Sequence, residues 1–373
     1  MRALIHETRT GHPIVDLETS AWDYDIGILT PDKLGVTVPA YTPRARSMDL
    51  AELLTPYKYS LALIDESVDG QRVVRASGPI TGRPPQDNDD GKASFKVTAR
   101  GPEILFDYWH IRKHPGWPLL DGAGKPTGTY DLTFTGLSLG TIVKRLVQER
   151  AKWVGNELPI TYEADRAGSR EYARHEAVDG KPLLEALDHI GERSDGVEWA
   201  LIPEIDALDQ ITYKLVTGTD AAQSIVTHDH LTWNIGGARP DIRGLEPNDL
   251  IGEVATDAIF HAGKGDDKVL LAQASDPTLV NDGWPRMEVW DSSHSSVTQQ
   301  ATLQAWADGR VTGVSQRPQF EVRANRAYGL RYGDLVEIAS QGHWYWPDGV
   351  QTHRVFGATQ SSSDPDWIGV QLV

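Results

Sequence analysis

The chain has 373 residues, and its 36 Lys and Arg against 53 Asp and Glu give a formal net charge of −17 at pH 7. This acidic balance argues against a nucleic-acid-binding surface, because Lys and Arg supply most of the affinity for phosphate groups. Hydrophobic residues make up 39% of the chain, which at this length predicts two or three folded domains, and the lack of Cys excludes disulfides, Cys-ligated metals and thiol chemistry.

The first thirty residues contain no basic region followed by an apolar run, which is the pattern of a signal peptide. Nowhere in the chain do eighteen apolar residues follow one another, as a membrane-spanning helix requires. We therefore expect a soluble protein that is made without a signal peptide and does not insert stably into a membrane.

Alternating polar and apolar residues predict strands in the first part of the chain. Segments 59–65 and 72–77 flank an Asp-Gly pair and predict an antiparallel hairpin. Two further strands are predicted over 93–99 and 130–135. In each of them one face is apolar and the other polar, as is typical of antiparallel sheets.

Helical periodicity begins after residue 140. The apolar residues of 141–154 and of 182–193 fall on one stripe of a helix, and the second segment opens with a Pro suited to a first turn. A period-two strand is predicted over 211–215. A third helix is predicted over 297–308, where Ser296 and Gln299 form a capping-box pattern, although its apolar stripe is poorer.

The last part of the chain returns to strand patterns, at 320–324, 335–339, 354–358 and 367–373. The chain thus begins and ends in β structure, so the predicted fold class is α+β, mainly β and multidomain. We expect three segments along the chain: a β domain over 1–135, an α/β domain over 136–220, and a β-rich domain with one helix over 221–373.

Residues 136–140 read Gly-Leu-Ser-Leu-Gly, the G-x-S-x-G pattern that holds a nucleophilic serine between a strand and a helix in α/β-hydrolases. Ser138 is therefore a candidate nucleophile, and a serine hydrolase is the alternative function. However, the preceding strand alternates polar and apolar residues, whereas the strand before such a serine lies in a parallel sheet and is continuously apolar. N-capping of the next helix by Ser138 accounts for the same residues and is the favoured interpretation.

Two other patterns are weak candidates for chemistry. His228 and His230 would project from one face of a strand near Asp241, which suits metal ligation, but no third ligand has the right spacing. Asp16, Asp23 and Asp25 could be drawn as an acid/base pair, but with 53 acidic residues such pairs arise by chance. We therefore predict no metal, no cofactor and no catalytic residue.

Trp344, Tyr345 and Trp346 precede an Asp-Gly turn near the C-terminus. An aromatic hairpin tip suits a protein-contact loop or a sugar-stacking platform. A hairpin that packs these rings into the core is an equally good interpretation, so the three residues are a candidate contact site only.

Short motifs along almost the whole chain resemble one family. A hairpin with a Gly-Pro-Ile-Thr turn, a strand and a short helical turn lie at 60–65, 73–81, 95–100 and 102–110. The middle places Lys-Pro-Leu-Leu-Glu-Ala-Leu and Gly-Val-Glu-Trp after the helix 141–154, and the end places Tyr-Gly-Leu-Arg-Tyr-Gly-Asp-Leu-Val at 328–336. This order resembles the tail hub, or minor tail, proteins of actinobacterial siphophages, which are similar to phage baseplate hub proteins.

The resemblance implies a homotrimer in which each chain contributes two tube-like antiparallel β-barrel or sandwich domains, so that three chains present six to the hexameric tail tube. Such a hub closes the tube at the virion tail tip and passes the genome through its lumen. The implied partners are the tail tube or distal tail protein, the tape-measure protein and other tail-tip or receptor-binding proteins, with assembly in the host cytoplasm. Sequence-specific DNA binding is not expected, and carboxylates fit a lumen because they repel phosphates.

Overall fold

The computed structural model describes most of the chain, namely residues 1–68, 71–87, 92–175, 177–227, 230–236, 240–247, 255–262, 270–292, 297, 299–312, 320–325 and 330–373. Among these residues, no helix is long and apolar enough to span a membrane.

The N-terminal β module is an antiparallel sheet. Its strands are β1 (Arg2–Glu7), β2 (Pro13–Leu17), β3 (Ala21–Gly27), β4 (Thr30–Pro39), β5 (Tyr59–Val68), β6 (Gln71–Gly82), β7 (Pro85–Asp87) and β8 (Ala93–Arg100). They lie side by side in the order β2-β1-β5-β6-β8-β4-β3, with β7 paired to β8. The predicted hairpin is confirmed, because β5 pairs with β6. Between β4 and β5 lie two short helices, α1 (Pro43–Ser47) and α2 (Leu50–Leu53).

The middle segment combines small sheets with two helices. After the 3-10 helix Pro102–Asp107 come β9 (Leu132–Leu137), α3 (Leu139–Ala151), β10 (Ile160–Tyr162), β11 (Ala167–His175), the 3-10 helix Ala177–Asp179, α4 (Leu183–Gly191), β12 (Trp199–Ile205) and β13 (Ile211–Thr217). Strands β10, β13 and β12 form one sheet, and β9 pairs with β11. The buried faces of α3 and α4 share a second core with β12 and β13. The two helices predicted here are confirmed with shifted ends.

The last part of the chain contains β14 (His230–Ile235), β15 (Ile242–Pro247), β16 (Asp257–Ala262), β17 (Leu270–Ser275), α5 (Pro277–Asn281), β18 (Glu288–Asp291), α6 (Gln300–Thr312), β19 (Phe320–Asn325), β20 (Leu335–Ser340), β21 (Gly349–Ser361) and β22 (Trp367–Leu372). Six of these strands close a barrel in the order β21-β20-β14-β15-β19-β22, since β22 pairs back to β21. The four predicted C-terminal strands all belong to this C-terminal β barrel. Between β15 and β19 the chain forms a separate sheet, β17-β16-β18, which packs against α6.

The two β structures are joined edge to edge. Strand β3 pairs antiparallel with β21, with Ile26 opposite Ala358, so the sheet of the N-terminal β module continues into the C-terminal β barrel. We call this junction the seam. Buried side chains from both sides of the seam form a single core, and Trp233 of β14 is the largest fully buried one. The predicted fold class, mainly β with some helices, is therefore confirmed, and the fold contains a six-stranded barrel and additional small sheets.

Buried polar contacts tie the middle segment to both β structures. Both Nη atoms of Arg354 in β21 donate to the Glu198 carboxylate, each at 2.8 Å. Between the N-terminal β module and the middle segment, hydrogen bonds link His6 Nε2 to Ser77 Oγ and Ser77 Oγ to the Tyr213 hydroxyl, with both distances 3.0 Å. Burial lowers the pKa of His6 to about 4, so this imidazole is neutral at physiological pH.

Two buried carboxyls, Asp32 of β4 and Glu103 of the first 3-10 helix, lie close enough to interact. Burial raises the pKa of Glu103 to about 7, and burial together with the Glu103 charge raises the pKa of Asp32 well above its ordinary value. Oε2 of Glu103 is buried without a hydrogen-bond partner in the described part of the chain. At these two carboxyls the folded state binds more protons than the unfolded state. The stability of the fold therefore falls as the pH rises from the ordinary pKa of Glu103 towards 7.

We expect Glu103→Gln to be more stable than the wild type above pH 7, because the substitution removes the cost of ionising a buried carboxyl. Between pH 4.5 and 7 the wild type should lose up to about 1.4 kcal/mol of stability per pH unit from this group, and the variant should lose less. Urea unfolding at several pH values measures this, with the exposed Glu66→Gln as control. Identical pH profiles for Glu103→Gln and the wild type would show that Glu103 is not protonated in the folded protein.

Candidate assembly surface

One face of the joined sheet is concave at the seam. A groove of about 550 Å³ lies on this face, and residues of β3, β4, β15, β19, β21 and β22 line it. Its lining combines β3 and β4 of the N-terminal β module with β15, β19, β21 and β22 of the C-terminal β barrel, so both β structures contribute to one surface. The charged side chains in its lining are Asp23, Asp25, Lys33, Glu246, Glu321, Arg323 and Asp364.

The groove has an excess of negative charge. Its two basic side chains are already in ion pairs, Lys33 with Asp25 at 3.1 Å and Arg323 with Asp364. For the other three carboxylates, the described residues offer no ion-pair partner. These unpaired carboxylates, which we call the groove carboxylates, are Asp23, Glu246 and Glu321.

Glycines allow the strands to approach closely beside the groove. A Cβ atom at Gly357 of β21 would lie 2.6 Å from the Ile26 carbonyl oxygen of β3, closer than a real Cβ atom comes. At Gly369 of β22 a Cβ atom would lie 2.5 Å from Thr359 Oγ1. Any larger side chain at Gly357 must therefore push β3 away from β21.

Ser138 is the N-cap of α3, as the favoured interpretation of the G-x-S-x-G pattern predicted. Its Oγ accepts a hydrogen bond from the Thr141 backbone N–H at 3.2 Å and donates to Thr141 Oγ1 at 3.0 Å. The side chain is buried, and the preceding strand β9 pairs antiparallel with β11. The hydroxyl is thus not displayed at the edge of a parallel sheet, which the hydrolase alternative requires.

Ser138→Ala is expected to lower the free energy of unfolding by about 0.5–2 kcal/mol, the usual cost of losing an N-cap. Urea denaturation measures the change, with the exposed Ser20→Ala as a control expected to stay within about 0.5 kcal/mol. A fluorophosphonate probe should label wild type and Ser138→Ala alike. Labelling that is lost only in the variant would restore Ser138 as a nucleophile.

The described residues give no support to a metal site formed by His228, His230 and Asp241. His228 and Asp229 lie outside the described residues, and Asp241 Oδ2 accepts a hydrogen bond from the Asn234 backbone N–H at 3.0 Å. Across the part of the chain that the structure describes, no three His, Asp or Glu side chains are grouped as metal ligands would be.

The aromatic run lies in the predicted hairpin, between β20 and β21. Trp344 is 87% exposed and Tyr345 45%, whereas Trp346 is only 2% exposed and packs against Phe320 in the core. The two Trp rings therefore do not form a common sugar platform, and Trp346 is a core residue and not a contact residue. Protein contact through Trp344 and Tyr345 stays a prediction.

Comparisons with known proteins find the same architecture among solved structures only. No protein-family model and no curated protein matched the sequence. Among solved structures, the tail protein from Neisseria meningitidis MC58 is similar, with a TM-score of 0.55 and 14% identity over 100% of this chain and 96% of that one. The 43 kDa tail protein of prophage MuSo2 from Shewanella oneidensis is also similar, with a TM-score of 0.57 and 12% identity over 100% and 98% of the chains.

The chain therefore has the fold of phage tail proteins. At these identities the likeness concerns the fold alone. The predicted resemblance to phage tail proteins is therefore confirmed for the fold. The actinobacterial siphophage hub, as a particular family, stays a prediction.

The concave groove was not predicted from the sequence. Asp23 and Asp25 were noted together with Asp16, but only as carboxylates that pair by chance. Their i, i+2 spacing places both on one face of β3, and this was the available signal. What the sequence lacked was any indication that other lining residues would come from β15 and β19, more than two hundred residues away along the chain.

Proposed function

We propose that this protein is a structural hub of a long-tailed phage, and that three copies form a ring that closes the tail tube and adapts it to the tail tip. The observation that carries the proposal is the concave face shared by the N-terminal β module and the C-terminal β barrel. Two β modules per chain, repeated three times, give six modules around one axis. Such a ring matches the sixfold symmetry that the resemblance implies for the tail tube.

The seam supports this geometry because it fixes the two modules relative to each other. Strands β3 and β21 are hydrogen-bonded along the seam, and the core continues beneath it. Each chain thus offers one pre-formed arc instead of two independently moving domains. We propose that the concave faces of three such arcs line a common lumen.

The charge of the groove suits a lumen through which DNA slides. The groove carboxylates Asp23, Glu246 and Glu321 repel phosphates, so the passing genome is not held by counterion-releasing contacts. In this proposal the neighbours of the ring are the tail tube or distal tail protein, the tape-measure protein and other tail-tip proteins. The protein acts at the virion tail tip, after assembly in the host cytoplasm, and carries out no catalysis.

Native mass spectrometry tests the oligomeric state directly. The proposal predicts a species of three times the 41.1 kDa chain mass, with the large apolar contacts of an obligate assembly. A chain that stays monomeric at high concentration would contradict the ring.

Charge reversal tests the lumen. We expect a variant with Asp23→Lys, Glu246→Lys and Glu321→Lys to keep the trimer but gain binding to double-stranded DNA, measured by fluorescence anisotropy and lost as salt is raised. The control carries the same charge change at exposed sites outside the groove, Glu52→Lys, Glu66→Lys and Glu288→Lys. Equal DNA binding by the two variants would show that the groove does not form a lumen.

A further inference from the structure

Four side chains of the middle segment alternate in a stack beside the C-terminal end of α3. Arg112 lies over the ring of Trp117 at 5.0 Å and over that of Trp153 at 4.6 Å, and Arg150 also lies over the ring of Trp153, at 4.4 Å. We call Arg112, Trp117, Arg150 and Trp153 the Arg–Trp stack. None of them lines the groove, so the stack is a separate feature of the surface.

The loop that supplies Arg112 and Trp117 is held firmly against the helix. The His114 backbone N–H donates to Glu149 Oε1 at 2.9 Å, and the Tyr130 hydroxyl donates to the Trp117 carbonyl at 2.7 Å. Gly116 packs so closely on Trp153 that a Cβ atom there would lie 2.4 Å from the indole ring. The stack is therefore pre-formed, and ordering it costs nothing at the moment of binding.

The two guanidinium groups of the stack lack acceptors in the described part of the chain. Nε of Arg112 and both Nε and Nη1 of Arg150 are buried with no hydrogen-bond partner, and neither arginine forms an ion pair there. Arg150 is 5% exposed. A buried donor left unsatisfied is costly, so such groups are usually satisfied by a protein, water or ligand atom.

The charges around the stack also favour the binding of an anion. Burial and the nearby Arg112 charge lower the pKa of Arg150 to about 10, and attraction to Glu149 opposes this only in part. Glu149 is itself engaged by Lys152 and by the His114 backbone. A chain with a net charge of −17 thus holds two neighbouring arginines for which the described residues supply no ion-pairing carboxylate.

We propose that the Arg–Trp stack is a docking site for an acidic segment of a partner protein, which places a carboxylate against the half-buried Arg112, beside the buried Arg150, and an apolar side chain against Trp117. Guanidinium groups bind carboxylates with two parallel hydrogen bonds, and a carboxylate here would relieve the repulsion between the arginines. Trp117 is 60% exposed and offers the apolar contact. Trp and Arg are also the residues that most often dominate the binding energy of protein interfaces.

The alternative anion, a nucleic-acid phosphate backbone, fits less well. Phosphate backbones are bound by rows of basic residues that follow the strand, whereas this site is compact and lies on an acidic protein. The proposal concerns a surface outside the groove and does not depend on the lumen.

Fluorescence anisotropy with labelled synthetic octapeptides tests the site on the full-length protein. One peptide alternates Glu with Leu, a second alternates Gln with Leu, and a short single-stranded DNA is the third probe. We expect the Glu peptide to bind at least about tenfold more tightly than the other two, since one charge-assisted hydrogen bond contributes about 1.5–3 kcal/mol. Arg112→Gln and Trp117→Ala should each weaken this binding about tenfold or more.

Lys125→Gln is the matched control, because it removes one positive charge from an exposed position of the same loop but outside the stack. It should leave binding within about twofold of the wild type, as expected for a screened surface charge. Trp117 is exposed, so Trp117→Ala should fold normally, which circular dichroism verifies. Equal binding of the Glu and Gln peptides, tighter binding of the DNA, no binding of any probe, or equal losses in Arg112→Gln and Lys125→Gln would each overturn the proposal.

Discussion

Replacing Arg354 with Met is expected to lower the free energy of unfolding by about 3–5 kcal/mol, the usual cost of removing one partner of a buried ion pair. The Arg354 and Glu198 side chains are only 9% and 11% exposed, and two hydrogen bonds of 2.8 Å join them. Once Arg354 is lost, the Glu198 carboxylate stays buried with the Ile225 backbone N–H as its remaining donor of those that the structure shows. Urea denaturation at neutral pH measures the loss.

Two further variants show whether the buried pair causes this loss. Arg9→Met makes the same substitution in an ion pair whose partners, Arg9 and Glu157, are 57% and 47% exposed, so it should change stability by less than about 1 kcal/mol. The double variant Arg354→Met with Glu198→Gln should recover part of the loss, because no charge is then left buried. If Arg354→Met is no more costly than Arg9→Met, the pair does not tie the middle segment to the C-terminal β barrel.

Gly357→Val is expected to destabilise the protein by about 2–3 kcal/mol through overpacking, and to do so at the seam. A Cβ atom at Gly357 meets the Ile26 carbonyl oxygen at 2.6 Å and Gln371 Oε1 at 2.9 Å. The side chain of Gln371 can move, but the carbonyl belongs to the backbone of β3. Strand β3 must therefore separate from β21, and the concave face loses its fixed shape.

Amide hydrogen exchange shows which strands the Gly357→Val substitution destabilises. Amides of β3 and β21 should exchange faster in Gly357→Val than in the wild type, while those of β12 and β13 should change little. Gly122→Val is the matched control, because a Cβ atom at Gly122 meets no atom within 4 Å. We expect this control to stay within about 0.5 kcal/mol of the wild type. Uniformly faster exchange across the protein would argue that the seam is not a distinct structural link.

A period-two pattern or a flanking Asp-Gly turn predicted some of the strands, and other strands were missed. The prediction over 93–99 matches β8, in which apolar and polar residues alternate along the sequence. No strand was predicted before residue 59, although β1–β4 lie there. In β1 the four consecutive residues from Ala3 to His6 are all buried, because Ala3 and Ile5 face one core and Leu4 faces the other. Such a strand has no period-two signal.

Helices were predicted in the right places, but their ends depended on contacts that lie outside the helix. Helix α3 begins at Leu139 because Ser138 is its N-cap, two residues before the predicted start. For α6 the capping-box pattern placed the helix too early, at 297–308. Its buried stripe, which runs from Leu303 to Val311, is defined by packing on β16 and β17 and extends beyond the predicted end.

The sequence does not identify the two strands that pair at the seam. Strands β3 and β21 pair across more than three hundred residues, and the residues that allow it are two facing glycines, Gly27 and Gly357. A glycine in a strand indicates a close approach of some kind but does not identify the neighbour. The groove carboxylates depend on the same pairing, so they too became visible only in the folded chain.

Electron cryomicroscopy of the self-assembled protein is the most direct test of the central claim. A threefold ring containing six β modules, with Asp23, Glu246 and Glu321 of every copy facing the central axis, is the expected image. Particles without threefold symmetry, or a ring whose concave β faces turn away from the axis, would contradict it.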